Sequence, residues 1–227
     1  VAGSAQLTVP GAGVAESRRR DTDRGDTHRR DTDRLTIGVL ALQGAFREHV
    51  RMLGGLGATA REVRAARELD GLDGLVIPGG ESTTMGLLMQ KEAMSRPLRE
   101  FAKRHPVFGT CAGLIMLAGE TTDGEQPLLR VMDVTVRRNA FGRQTRSFEA
   151  PVELSLTPGV SETIHGIFIR APWVEAVGPG VEVIARYDGH IVGVRQGHML
   201  AVAFHPELGD DTRLHDYFLE VVRATQR

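Results

Sequence analysis

From residue 35 onward the chain alternates short apolar runs with amphipathic ones, and the spacing of each run predicts its element. Residues 35–46, LTIGVLALQGAF, form a near-continuous β-type run ending at a glycine, as for a strand buried on both faces. REHVRMLGGLG (47–57) reads as a short amphipathic helix closed by glycines, and TAREVR (59–64) as a second strand. LDGLVIPGGESTTMGLLMQKEAM (72–94) predicts a strand, a sharp Gly-Gly turn and a helix. RPLREFAKRH (96–105) predicts another helix, PVFGTC (106–111) a strand and AGLIMLAGE (112–120) a helix. Strand and helix alternate with short links, which is the pattern of a parallel α/β sheet.

The second half changes period. VMDVTVRR (131–138), SFEAPVELSL (147–156), IHGIFIRAP (164–172), VEVIARYDG (181–189), HIVGVRQG (190–197) and HMLAVAFHPE (198–207) are strand-like and punctuated by Gly and Pro. They predict antiparallel hairpins that extend or cover the parallel sheet. FGRQTRSFE (141–149) is too polar for a core strand and reads as a loop or strand lining a crevice. DTRLHDYFLEVVRAT (211–225) predicts a closing amphipathic helix, with Leu214, Tyr217, Phe218 and Val221 on one face and Asp211 as its cap.

Residues 1–34 stand outside this pattern. RRDTDR occurs at 19–24 and again at 29–34, and the stretch 18–34 holds no aliphatic residue to bury against its ordering entropy. Residues 1–34 hold seven Arg against six Asp and Glu, so the segment is expected to be a disordered mixed-charge extension rather than a basic arm. The folded part is expected to be one domain, 35–227. A hydrophobic content of 41% suffices for a core, and the formal net charge of −1 gives no basic field for nucleic acid. No apolar run approaches the ~18 residues of a membrane span. The N-terminal stretch lacks the long apolar run expected of a signal peptide, and no zinc-ligand spacing occurs. The expectation is a cytoplasmic protein with no metal, no nucleic-acid partner and no membrane association.

Candidate chemistry centres on Cys111, the one cysteine of the 227 residues. A lone cysteine is often a small buried hydrophobe. Cys111, however, ends a predicted strand and opens a predicted helix, with Gly109, Thr110, Ala112 and Gly113 around it. That is the setting of a nucleophile elbow, where a helix N-terminus favours the thiolate and offers N–H groups to a developing oxyanion. Of seven histidines in the folded part, His205 ends an apolar strand and is followed by Pro206 and Glu207. Residues i and i+2 of an extended segment share a side, so Glu207 is placed to orient His205 and complete a Cys-His-Glu relay. The turn VIPGGEST (76–83) offers the N–H groups of Gly79 and Gly80, and an oxyanion would lie between one of these and the N–H of Ala112. No GK[ST] follows, so the turn is not a phosphate loop.

PGGES, GTCAG and FHPE, in that order, resemble the triad-type (class I) glutamine amidotransferases. GVLALQGAFREH, PGGESTTM, FGTCAGLIMLA, RRNAFGRQTRSFEA, GIFIRAP and FHPEL are similar more closely to one branch, the glutaminase subunits of pyridoxal 5′-phosphate synthases. The resemblance runs from about Leu35 to Arg223 and excludes the extension. It implies a flavodoxin-like three-layer sandwich, a mainly parallel sheet between helices with antiparallel strands added.

It also implies that Cys111 attacks the side-chain amide of L-glutamine, with His205 as general base and then acid and Glu207 orienting it. N–H groups of Gly80 and Ala112 would hold the oxyanion. The family's glutamine-binding positions fall on Gly79, Gly80, Glu81, Arg138, Ile169 and Arg170. An arginine fork suits the α-carboxylate, and Glu81 or a backbone carbonyl suits the α-ammonium. Which arginine takes the carboxylate stays open at this level. Gln43 is expected in the region that senses the partner, with a turn-stabilising amide as the alternative. No cofactor is implied. The implied partner is a separate synthase subunit that receives the ammonia, in a large hetero-oligomer. The Gly79–Gly80 peptide, free to flip because glycine tolerates both backbone states, would let docking switch the site on. Rival readings are the glutaminase of histidine biosynthesis, a cysteine peptidase on a similar sheet, and a non-catalytic docking subunit.

Overall fold

The computed structural model of the chain describes residues 34–142 and 147–227. The expectation for the extension therefore lies outside the described residues except at Arg34, whose guanidinium donates to the carbonyls of Gly57 (2.8 Å) and Ala58 (3.4 Å). The middle of the FGRQTRSFE segment, residues 143–146, also lies outside them.

Strand β1 (Thr36–Leu40) pairs in parallel with β2 (Thr59–Val63) on one side and β3 (Gly74–Ile77) on the other. β4 (Val107–Thr110) follows β3, and β12 (Met199–Val202) follows β4, both in parallel. The resulting order, β2-β1-β3-β4-β12, reverses direction between β1 and β3. That is the switch point beyond which open α/β sheets hold their ligands. β3 and β4 are buried at every position, which fits strands covered on both faces, while the edge strand β2 exposes Arg61 and Glu62.

Helices α1 (Phe46–Gly55), α2 (Ser82–Lys91), α3 (Ser95–Ala102), α4 (Ala112–Leu117) and α5 (Arg213–Thr225) complete the α/β layers. α5 turns Leu214, Phe218, Leu219 and Val222 inward. A side chain such as Phe218 contributes about 1.5–3 kcal/mol through its burial. Asp211 accepts from the N–H of Arg213 at 3.1 Å, but the residue preceding α5 is Thr212, so Asp211 acts one position earlier than expected.

The sheet then continues with antiparallel strands. β11 (His190–Gln196) pairs with β12, β10 (Glu182–Tyr187) with β11, β7 (Ser147–Thr157) with β10, and β8 (Val160–Ile169) with β7. Two strands differ from the sequence reading. The helix expected over 112–120 ends at Leu117, and Ala118–Thr121 forms β5, parallel to β6 (Met132–Arg137). β9 (Trp173–Val177), which the sequence reading passed over, joins β6 to β11.

Candidate active site

The parallel strands deliver the candidate residues to one edge. Gln43 follows β1, Gly79 and Gly80 follow β3, Cys111 follows β4 directly, and His205 follows β12. Cys111 sits at φ 48° and ψ −102°, a conformation that L-residues adopt at a cost of order 1–3 kcal/mol and that clusters at functional sites. Its N–H donates to Val202 (2.8 Å), which ties the elbow to β12. Its thiol lies 3.7 Å from the carbonyl oxygen of Ile169. It precedes Ala112, whose N–H is among the first of α4 and has no partner within the helix.

His205 is fixed from two sides. Its own N–H donates to the carbonyl of Ile167 (2.8 Å), and Nδ1 lies 2.7 Å from Oε1 of Glu207. Residues 206–208 form a single 3-10 turn rather than the extended segment expected, yet the turn still brings the carboxylate to the ring. A carboxylate accepts, so Nδ1 carries a proton and Nε2 is the nitrogen left for the thiol. Burial works to lower the pKa of His205, but hydrogen bonding and charge from Cys111 and Glu207 push it up to about 10. The ring is thus held in its protonated form.

Glu207 is fully buried. Its Oε2 lies 3.4 Å from Nε2 of His49, on α1. This contact is not an ion pair: burial first, then the neighbouring His215 and His205, holds His49 well below the ordinary histidine pKa.

Gly79 packs against the relay. A Cβ there would come within 2.8 Å of Nδ1 of His205 and 3.3 Å of Cβ of Cys111, so the turn needs glycine to approach this closely. The Gly79 carbonyl accepts from the N–H of Ala45 (3.1 Å). In a planar trans peptide the N–H of Gly80 then points to the opposite side. The Gln43 side chain lies against Gly80, and its Oε1 accepts from the N–H of Glu81 at 3.0 Å. The amide at the end of β1 therefore braces the turn after β3.

Beside Cys111 and His205 opens a cavity of about 480 Å3, lined also by Gly80, Glu81, Arg138, Ile169 and Arg170. Gln43 and Gly79 do not line it. The Glu81 carboxylate caps α2, accepting from the N–H groups of Thr83 (3.0 Å) and Thr84 (2.7 Å) and from the Thr84 hydroxyl (2.6 Å). The Thr84 hydroxyl, ahead of the backbone amides, holds its pKa below the usual range. Three donors leave about one of four acceptor positions for an ammonium. Arg138 is braced by Oε1 of Gln126 (2.7 Å) and Oγ1 of Thr83 (3.2 Å), and its buried Nε has no partner among the described residues. Arg170 is exposed and stands at φ 46°.

Three lining residues went unassigned from sequence: Ser82, Ile115 and Asn139. Asn139 also has a positive φ, 46°. Its signal was present in the NxFGRQ block. Ile115 lies one turn after Cys111 on α4, a spacing that only a known helix turns into a site position.

Residues 39–224 match the SNO glutamine amidotransferase family. The chain belongs to this family. Among curated relatives of the chain, a pyridoxal 5′-phosphate synthase subunit PdxT of Parafrankia sp. is 56% identical over 191 residues, covering 83% of this chain and 93% of that protein. The PdxT of Oenococcus oeni is 50% identical over 190 residues, covering 84% of this chain and 98% of its own. A crystal structure of a glutamine amidotransferase superposes with a TM-score of 0.77 at 49% identity, covering 82% of this chain and 98% of that one. The PurLQS structure of Thermotoga maritima, at a TM-score of 0.61 and 15% identity, shares the fold. The α/β architecture expected from sequence is thus that of the SNO family and its neighbours, with a curled mixed sheet.

Proposed function

We propose that the chain is the glutaminase subunit of a pyridoxal 5′-phosphate synthase, hydrolysing L-glutamine to L-glutamate and ammonia and passing the ammonia to a synthase partner. The observation that carries the reading is the buried Cys111–His205–Glu207 arrangement opening onto a cavity that holds two arginines. The relatives named above are subunits of pyridoxal 5′-phosphate synthase, which favours this acceptor over that of histidine biosynthesis.

The chemistry follows from the geometry. The Cys111 thiolate attacks the γ-carboxamide carbon, and the carbonyl oxygen becomes an oxyanion held by the N–H groups of Gly80 and Ala112. His205 gives its Nε2 proton to the departing nitrogen, the C–N bond breaks, and ammonia leaves a glutamyl thioester. Water then attacks the thioester while His205 takes its proton. The C–S bond breaks, glutamate departs and the thiolate returns. Glu207 keeps His205 oriented through both halves. Arg138 holds the α-carboxylate, and Glu81 shares its carboxylate with the α-ammonium.

The Gly79–Gly80 peptide is the gate, and Gln43 links it to the docking side. Flipping this peptide breaks the Ala45 bond and reverses the Gly80 N–H, so partner docking controls whether the oxyanion site is complete. The assembly is a large cytoplasmic hetero-oligomer. An ammonia-release assay with the cognate synthase added and withheld tests the reading. Glutamine hydrolysis that rises with the synthase and disappears in Cys111→Ala is the expected result. Hydrolysis untouched by that substitution rejects the catalytic assignment, and equal rates with and without partner reject the gate.

A further inference from the structure

Behind the relay lies a second buried chain of side chains that the proposed chemistry does not use. His49 on α1, His215 on α5 and Thr110 on β4 are all fully buried. Nδ1 of His49 is 2.8 Å from Nε2 of His215, and Nε2 of His49 is 3.1 Å from Oγ1 of Thr110 and 3.4 Å from Oε2 of Glu207. His49 therefore touches the neighbour of Cys111 and the carboxylate behind His205 at once. The titratable groups facing it from the packed elements are His215, His205 and Glu207.

Two polar atoms of this buried network have no hydrogen-bond partner among the described residues: Oε2 of Glu207 and Nδ1 of His215. They decide the tautomers. Burial, together with the neighbouring histidines, keeps His49 neutral, and burial pushes His215 down to about 4, so each ring carries one proton. If His49 carried it on Nδ1, that N–H would donate to Nε2 of His215. The His215 proton would then sit on Nδ1, a buried donor facing nothing. Nε2 of His49 would turn a lone pair toward the Glu207 carboxylate. Both arrangements are unfavourable. With the protons on the two Nε2 atoms, His215 donates to His49, and His49 donates to the Thr110 hydroxyl oxygen and toward Oε2 of Glu207. The one unmet atom is then an acceptor on His215, the cheaper kind to leave bare.

We propose that His49 and His215 are positioning residues that extend the relay behind Glu207, His215 fixing the tautomer of His49 and His49 holding the second carboxylate oxygen. This rests on the reading of Cys111, His205 and Glu207 as the catalytic relay. It makes α1 and α5 part of the machinery: any displacement of either helix reaches Glu207 through an imidazole.

Imidazole nitrogen NMR on the wild-type protein tests the assignment without turnover. Both histidines are expected as neutral Nε2–H tautomers at neutral pH, and an Nδ1–H form of His49 overturns the proposal. Kinetics supply the second arm. Without the His49 N–H behind it Glu207 is free to turn away from His205, so His49→Leu is expected to lower kcat roughly tenfold with little change in KM. His49→Gln, which keeps a donor, is expected to restore most of it. In a Glu207→Gln background His49→Leu is expected to lower kcat no further. A His49→Leu enzyme with the wild-type kcat overturns the proposal. If that variant does not fold, the wild-type tautomers decide. A wild-type protein that hydrolyses no glutamine even with its synthase present defeats the functional reading instead, and the tautomer measurement still stands.

Discussion

At Arg138 the guanidinium is held in place before any substrate arrives. Gln126 and Thr83 brace one nitrogen, the Asp123 carbonyl accepts from another, and Nε is buried with no partner among the described residues. A planar fork fixed in this way loses little freedom when it grips a carboxylate, and lysine cannot reproduce two parallel bonds. Arg138→Lys is therefore expected to raise the KM for glutamine roughly tenfold or more while kcat changes little. Steady-state kinetics on the partnered enzyme check this; an unchanged KM removes Arg138 from the substrate's carboxylate. The sequence brought Cys111, His205 and Glu207 into view because a strand-ending cysteine and an HPE tripeptide carry local chemistry. His49 gave no such sign. On its own it is one histidine on an amphipathic helix, and only the fold shows that its ring meets a carboxylate 158 positions later in the chain.

The elements show the same division between local and distant causes. Gly113, in the first turn of α4, lies so close to β3 that a Cβ would collide with the Ile77 carbonyl, and a Cβ on Gly109 would come within 2.7 Å of the Gly113 backbone. These glycines press the helix N-terminus down onto the strands that carry the thiol. Gly113→Ala must push backbone against backbone and is expected to cost about 1–3 kcal/mol. Gly54, near the end of α1, has open space around its Cβ, so Gly54→Ala is expected to stabilise by about 0.5–1 kcal/mol. Urea midpoints of the two variants should fall on opposite sides of the parent; a neutral Gly113→Ala would show that α4 has room to move. β1, β3 and β4 were legible because near-continuous apolar runs leave little else to predict. The Ala118–Thr121 strand was not, since AGET has no period of its own and is recruited by pairing with β6. β9 likewise takes its identity from β6 and β11 on either side of it.

At the scale of the whole molecule, the fold encloses two neutral histidines that join its first helix to its last. His215 has a pKa lowered to about 4, and His49 lies well below its ordinary value. In the unfolded chain both return to roughly 6.5. Between the folded and unfolded values the unfolded state binds the protons and the folded state does not. Stability therefore rises with pH through that window and falls as the solution is acidified. Each histidine whose folded value lies below 5 is expected to cost about 2 kcal/mol at pH 5 relative to pH 7, or roughly 5 °C in Tm for a domain of this size. His215→Gln removes one titrating group while keeping an amide to donate toward His49, so its loss of Tm between pH 7 and pH 5 should be smaller than the parent's by about that amount. Thermal melts of the two proteins at both pH values decide it. Parallel losses would mean that acid acts elsewhere in the fold. A smaller loss in the variant would tie the acid limit of the whole molecule to the same pair that stands behind Glu207.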